Sequence, residues 1–266
     1  MRIWGKVIGF LLGFLAGRLF GALLGLWLGH KFDKGLDFDF STFGKQSEQD
    51  RQNTFFNATY SIMGHIAKAS GRVTEEEIAF AQASMHRWGL NQETKELAQE
   101  AFRQGKDVFF DVDKTIRQLR VACFGRHDLL QMFIEIQIQA AFADGELHPE
   151  ERKILHKVAR GLGISARELD MLLDRIVAGE QFHQHSGPQG PQQAQYQLEN
   201  AYKILGVSAT DEMAVIKKAY RKLMAQHHPD KLLAKGLPPE LMQDAKQKAQ
   251  DIQAAYELIN KQRARS

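Results

Sequence analysis

Three adjacent residues, His228-Pro229-Asp230, put an imidazole and a carboxylate on either side of a proline. Proline disfavours α geometry in the residue before it, so His228 must leave the helix that Lys217 to His227 would otherwise continue. Both side chains are then held at a set exit angle. A carboxylate beside a rigid proline suits a bidentate bond from a partner arginine. Losing such an anchor costs roughly 2 kcal/mol or more. The chemistry on offer is recognition, and nothing in the tripeptide asks for burial. A bare His-Pro-Asp is also an ordinary turn, so the flanks must decide. Immediately upstream, Lys217, Lys218, Arg221 and Lys222 stand at i, i+1, i+4 and i+5, a cationic helix face. Such a face steers association toward an acidic surface. Tyr220, the aromatic among these cations, belongs to the apolar-leaning face with Ile216 and Leu223, and the whole chain is only +3, which argues against nucleic acid.

The elements that must position these groups are legible from periodicity. Ile216, Tyr220, Leu223 and His227 recur at helical spacing and form the inner face of the basic helix. Upstream, Leu198 to Val207 reads as a shorter helix with Tyr202 and Leu205 inward and Gly206 at its C-cap. Downstream, Ala245, Ala249, Ile252, Tyr256 and Ile259 keep a helical rhythm.

In order and spacing, Tyr202-x-x-Leu205-Gly206-Val207, Ile216 to Leu223, His228 to Lys231 and Ile252 to Ile259 resemble the J-domain of DnaJ-type co-chaperones. The resemblance implies a helical hairpin over residues 199–266 with the tripeptide at its tip. It implies a partner, a DnaK-type ATPase chaperone whose ATP hydrolysis is accelerated. Carried over, the docking residues are Lys217, Lys218, Arg221, Lys222, His228, Pro229, Asp230 and Lys231. One departure is plain: the loop Leu232 to Pro239 is long and apolar.

At the other end, Val7 to Leu28 carries one charge, Arg18. At about 1.5 Å per residue it spans roughly 33 Å, enough for a hydrocarbon core of about 30 Å. Trp4 and Trp27 flank it where interfacial aromatics belong. A cleaved signal peptide is the competing reading, but no small-x-small site follows the run. The expectation is one transmembrane helix over residues 7–30. Gly5, Gly9, Gly13, Gly17, Gly21, Gly25 and Gly29 recur at every fourth position. In lipid, a ridge of small residues lets two backbones approach closely, so a homodimer through this helix is expected. Arg18 either pairs within such a dimer, binds a lipid phosphate, or snorkels to the interface. Flanking charges are too balanced to orient the span. The resemblance orients it, because a DnaK-type partner needs ATP. It places residues 1–6 in the periplasm and residues 31–266 at the cytoplasmic face of the inner membrane.

A juxtamembrane linker is expected over 31–50, with Phe32, Phe38, Phe40 and Phe43 scattered in it. From 51 to 179 the hydrophobic spacing is helical, as in Phe55-Phe56-Tyr60-Met63-Ile66 and Met132-Phe133-Ile136-Ala140. An internal repeat runs through it: Ala67 to Glu77 aligns with Ala141 to Glu151, and Gly89-Leu90-Asn91 with Gly163-Ile164-Ser165. Each copy reads as helix, glycine turn, capped helix, glycine stop. Thr74 with Glu77 spells a capping box, Pro149 suits a first helical position, and Asn91 and Ser165 suit N-caps. The run Ala141-x-Ala143-Asp144-Gly145 with Glu151 resembles the TerB-like helical domain. That resemblance offers Asp144, Glu146, Glu150 and Glu151 as weak metal candidates. The first copy has Ser70 and Arg72 where two of these stand, and helix-start charge explains the acids without a metal.

Residues 180–198, rich in Gln, Gly and Pro, read as a flexible tether to the C-terminal hairpin. The single cysteine, Cys123, allows no internal disulfide and reads as a buried structural thiol. No zinc-type Cys-x-x-Cys module or nucleotide fingerprint occurs, so no cofactor and no catalytic residue are called for. The expected fold is all-α: a transmembrane helix, a TerB-like bundle and a J-domain. The order resembles bacterial membrane-anchored DnaJ-like co-chaperones, with client proteins unknown. A membrane scaffold or signalling adaptor, or a metal-responsive protein acting through the bundle, is the alternative. Substituting Gly13→Leu together with Gly17→Leu is expected to abolish self-association in a membrane dimerisation assay; association at the wild-type level would rule out the glycine ridge as the interface.

Overall fold

The helix around which the others assemble, His127–Ala141, is apolar around most of its circumference, with Asp128, Gln131, Glu135 and Gln139 in one polar stripe. Phe133, Ile134, Ile136 and Ile138 point in different directions around it, and each is at most 1% exposed. A helix with so wide an apolar face must be covered on nearly every side. Isoleucine is an indifferent helix former, so packing rather than propensity holds this segment helical.

The computed structural model describes residues 40–184 and 191–264. The span over 7–30, its glycines and Arg18 lie outside the described residues, and no described helix is long and apolar enough to cross a membrane. All regular structure among the described residues is helical. In chain order the helices are α1 (Phe40–Ala69), α2 (Glu75–Arg87), α3 (Gln92–Gly105), α4 (Val112–Ala122), α5 (His127–Ala141), α6 (Pro149–Leu162), α7 (Ala166–Gln184), α8 (Pro191–Leu205), α9 (Met213–His227), α10 (Pro229–Ala234) and α11 (Met242–Arg263), with a 3₁₀ turn at Pro239–Leu241. The chain falls into two compact units, Met1–Asp50 and Arg51–Ser266; the second holds both the bundle and the C-terminal hairpin.

The repeat appears as geometry. Gly71 and Gly145 turn the chain after α1 and α5 at φ of 96° and 91°, a region that L side chains avoid. Gly89 and Gly163 stop α2 and α6 in the same left-handed region. Thr74 Oγ1 accepts the Glu77 N–H, and Glu77 Oε2 accepts the Thr74 N–H at 2.8 Å, which closes the expected capping box. In the second copy Pro149 is the first helical residue and Glu151 Oε2 accepts the His148 N–H at 3.3 Å. Asn91 and Ser165 cap α3 and α7 by accepting the N–H groups of Thr94 and Glu168.

Two stretches expected as linkers are largely helical. Helix begins at Phe40, within the 31–50 stretch, and runs without a proline into the buried face Phe55, Ile62, Met63 and Ile66. Between 180 and 198, α7 reaches Gln184 and α8 starts at Pro191. Proline is tolerated in the first turn of a helix, so Pro191 opens α8 instead of interrupting it.

Helices α1 and α3 come together backbone to backbone. A Cβ on Gly105 would lie 1.8 Å from the Ser61 carbonyl oxygen, and one on Gly64 would lie 2.1 Å from that of Phe102. Neither obstacle is a movable side chain. Gly64→Ala and Gly105→Ala should therefore each destabilise the folded unit by about 1–3 kcal/mol or more, through overpacking. Chemical denaturation would show this as a lowered midpoint; an unchanged midpoint would mean that the helices separate at no cost.

Candidate functional site

Helix α9 ends as the proline rule requires. His228 is extended, with φ −64° and ψ 120°, and Pro229 opens the short helix α10. The tripeptide is thus a corner between two helices, not an open loop. Ile216, Leu223 and His227 are buried on the inner face of α9, while Tyr220 stacks on Tyr256 of α11 with ring centroids 4.3 Å apart. Helix α11 returns antiparallel: Arg263, at its far end, donates to the carbonyl oxygens of Ala209 and Asp211 just before α9, at 2.6 and 2.9 Å. Gly206 stops α8 at φ 67°.

On the outer side of this hairpin, Lys217, Lys218, Arg221, Lys222, Asp230 and Lys231 are exposed, and His228 and Pro229 are half-buried. No ion pair engages the four cations of α9 or the Asp230 carboxylate among the described residues. The structure therefore brings the expected docking residues onto one end of α9 and its corner, with their charges uncommitted.

The opposite side of the hairpin is packed against the bundle. Leu232, Leu237, Leu241 and Ala245 are fully buried in the same hydrophobic core as α5 and α1. This accounts for the apolar loop that departs from the J-domain pattern. It is the seam between hairpin and bundle, and each leucine contributes about 1.5–3 kcal/mol relative to an exposed one. A freely searching hairpin on a tether is not what the structure shows, because these leucines would then lie in water. The corner also has a packing role that the tripeptide alone does not suggest, since Leu232 begins the seam.

Polar bonds fix the register of this seam. Trp88 Nε1 donates to Asp244 Oδ2 at 2.8 Å, and Arg87 Nε lies 3.0 Å from Asp244 Oδ1. Lys235 pairs with Asp128. At the centre, Glu135 of α5 is 2% exposed, with Lys248 Nζ 2.7 Å and His227 Nε2 3.6 Å from its oxygens. Gln131 Nε2 donates to Glu135 Oε1 at 3.0 Å and lies 3.4 Å from His227 Nε2.

Burial works to raise the Glu135 pKa, but the Lys248 ammonium, then His227 and the hydrogen bonds, outweigh it and bring the carboxyl down to about 2. Burial lowers the His227 pKa, against the pull of Glu135. Both groups therefore favour the same arrangement: carboxylate, ammonium, neutral imidazole. Periodicity alone misses Glu135, Trp88, Asp244 and Lys248. The available signal is the stripe Asp128, Gln131, Glu135 and Gln139, polar residues at helical spacing in an otherwise apolar helix.

Three of the weak metal candidates, Asp144, Glu150 and Glu151, have local partners. Asp144 Oδ1 accepts the Glu146 N–H at 3.1 Å and Oδ2 lies 3.5 Å from His148. Glu150 pairs with Lys153 at 2.7 Å, and Glu151 closes its capping box. No grouping of three or more metal-ligating side chains occurs among the described residues. Burial raises the pKa of Glu151 and of Glu77, and the nearby Glu77 raises that of Glu151 further. Cys123 is fully buried and its thiol is pushed up to about 11 by burial, as suits an inert structural thiol.

Three family models match the chain: a co-chaperone DjlA transmembrane domain at residues 1–39, the tellurite resistance protein TerB at 56–173 and the DnaJ domain at 200–266. The chain is 50% identical to a co-chaperone protein DjlA of Yersinia pseudotuberculosis over 99% of both chains. It is 50% identical to that of Vibrio parahaemolyticus over 98% of both, and 51% identical to that of Salmonella typhimurium over 99% of both. No solved structure matches the chain.

The central ion cluster has a signed pH dependence. His227, lowered from 6.5, and Glu135, lowered from 4.5, both take up protons more readily when unfolded. Their stabilisation is therefore complete above about pH 6.5 and is lost as pH falls, first through His227 and then through Glu135. Denaturation midpoints measured between about pH 7 and pH 5 should fall with acidification, and His227→Gln should flatten that slope. An equal slope in the variant would remove His227 from the account.

Proposed function

Because the chain belongs to the DjlA family of membrane-anchored J-domain co-chaperones, we propose that its outward face binds a DnaK-type ATPase chaperone and accelerates ATP hydrolysis on it. Lys217, Lys218, Arg221 and Lys222 would steer the encounter, and His228, Pro229, Asp230 and Lys231 would engage the partner at the corner. One observation carries this reading: the Asp230 carboxylate and the cations of α9 are exposed and unpaired, while the other side of the hairpin is used up in packing. Nothing in the described fold competes for the groups the partner would need.

The chain acts on this reading as a regulator and not as an enzyme. The partner hydrolyses ATP, which supports a cytoplasmic position for residues 31–266 and a periplasmic one for residues 1–6. The glycine ridge from Gly5 to Gly29 supports a homodimer in the membrane. The docked hairpin gives the bundle a role: it holds the DnaK-facing surface in one orientation. Client choice then falls to whatever the bundle or the membrane brings near.

The test is single-turnover ATP hydrolysis by DnaK with the full chain in nanodiscs, wild type beside Asp230→Asn. Wild type should stimulate hydrolysis. The variant should lose roughly 30-fold in apparent affinity for DnaK, corresponding to an anchor of about 2 kcal/mol. Equal stimulation by both would exclude Asp230 from the interface, and no stimulation by wild type would favour the scaffold or adaptor alternative.

A further inference from the structure

Helix α4 has a face that the co-chaperone role does not use. Its inner residues Val112, Ile116 and Leu119 are buried, as is Cys123 just past its end. On its outer side Arg117 and Arg120 are exposed, Val121 is 75% exposed, and Phe124, in the turn that follows, is 83% exposed. Arg126 stands beside them and donates to the Phe124 carbonyl oxygen. None of these three arginines forms an ion pair among the described residues. Beside them, Arg117 and Val121 line an open groove of about 650 Å³ whose far wall is Asn53 and Asn57 of α1.

We propose that this surface rests on anionic lipid headgroups, with Phe124 and Val121 entering the interfacial layer. Three properties favour lipid over another occupant. Arginines without an ion-pair partner stand beside the exposed Val121 and Phe124, which joins charge attraction to a small apolar surface, the two contributions to binding at a lipid interface. The arginines need an anionic counterpart that the described chain does not supply, and an anionic bilayer supplies one at every lateral position. The bilayer is also never far away in the chain. The transmembrane match ends at residue 39, and the stretch from there to Asn53 reaches no more than about 50 Å even fully extended. Either orientation of the anchor keeps this surface on the side where the chain leaves the membrane.

The probe is the full-length protein in nanodiscs, carrying an environment-sensitive fluorophore on Val121→Cys. Cys123 does not compete for label, being fully buried with its thiol pushed up to about 11. Discs of phosphatidylcholine with phosphatidylglycerol are compared with discs of phosphatidylcholine alone. The same label on Leu97→Cys, exposed on α3, serves as the reference position. The expected result is a blue-shifted, brighter emission at 121 in the anionic discs only, reversed by Arg117→Glu with Arg120→Glu and by high salt. Circular dichroism melting of the double variant, which alters only exposed side chains, separates this reversal from unfolding. Emission at 121 that matches position 97, or that ignores lipid charge, would overturn the proposal. So would a shift that depends on the number of protein copies per disc, or one that appears only when a denatured protein is added. The first would make the surface an interface between copies, the second a groove for clients.

Discussion

A carboxylate buried in an apolar helix is the constraint on which the arrangement of the C-terminal unit turns. Glu135 lies on the one polar stripe of its helix, with Asp128, Gln131 and Gln139, yet is only 2% exposed. Such a group survives ionised only with cations and hydrogen bonds close by, and removing one partner of a buried pair costs about 3–5 kcal/mol. Gln131, one turn away, supplies a hydrogen bond. The cation comes from Lys248, far along the chain on α11, and a neutral imidazole comes from His227 at the end of α9. Asp128 and Gln131, on the same stripe, also face the hairpin, toward Lys235 and His227. The hairpin thus both buries this charge and supplies its partners, which couples the two.

That coupling divides the hairpin into two sides with opposite employment. Leu232, Leu237, Leu241, Asp244 and Lys248 belong to the bundle, while Lys217, Lys218, Arg221, Lys222 and Asp230 face outward. His227 and His228 are neighbours in the chain, yet one closes the buried cluster and the other begins the exposed corner. The proline sets this division, since the chain must change direction between α9 and α10. The corner and the Glu135 cluster therefore stand one residue apart in the chain.

Much of this is legible in the residues. The helix stop at His228, the glycine turns at Gly71 and Gly145 and the caps at Thr74, Asn91 and Ser165 rest on local rules, and local geometry obeys them. The inner face of α9 follows from spacing alone. The seam is less accessible. The apolar loop after Lys231 is visible as a departure, but which surface covers Leu237 and Leu241 is a matter of long-range packing, on which periodicity is silent. The same holds for Glu135: spacing places Met132, Phe133 and Ile136 inside without revealing that the residue between them is buried as well. The expected tether is helical at both ends, up to Gln184 and from Pro191, and residues 185–190 lie outside the described residues. Gln, Gly and Pro usually mark a loose connector, yet Pro191 sits where a helix tolerates proline, and the rest of α8 follows.

The seam also bears on what a domain means in this chain. The TerB match ends at residue 173 and the DnaJ match begins at 200, which invites cutting the protein between them. A cut there would release two damaged pieces. The C-terminal piece would carry a bare leucine surface of the kind that makes proteins sticky, and the N-terminal piece would bare the part of its core that those leucines cover. Insolubility or weak activity of either fragment would then report the missing neighbour and not the capacity of the module. The folding unit and the family unit differ, and it is the larger of the two that behaves as a part.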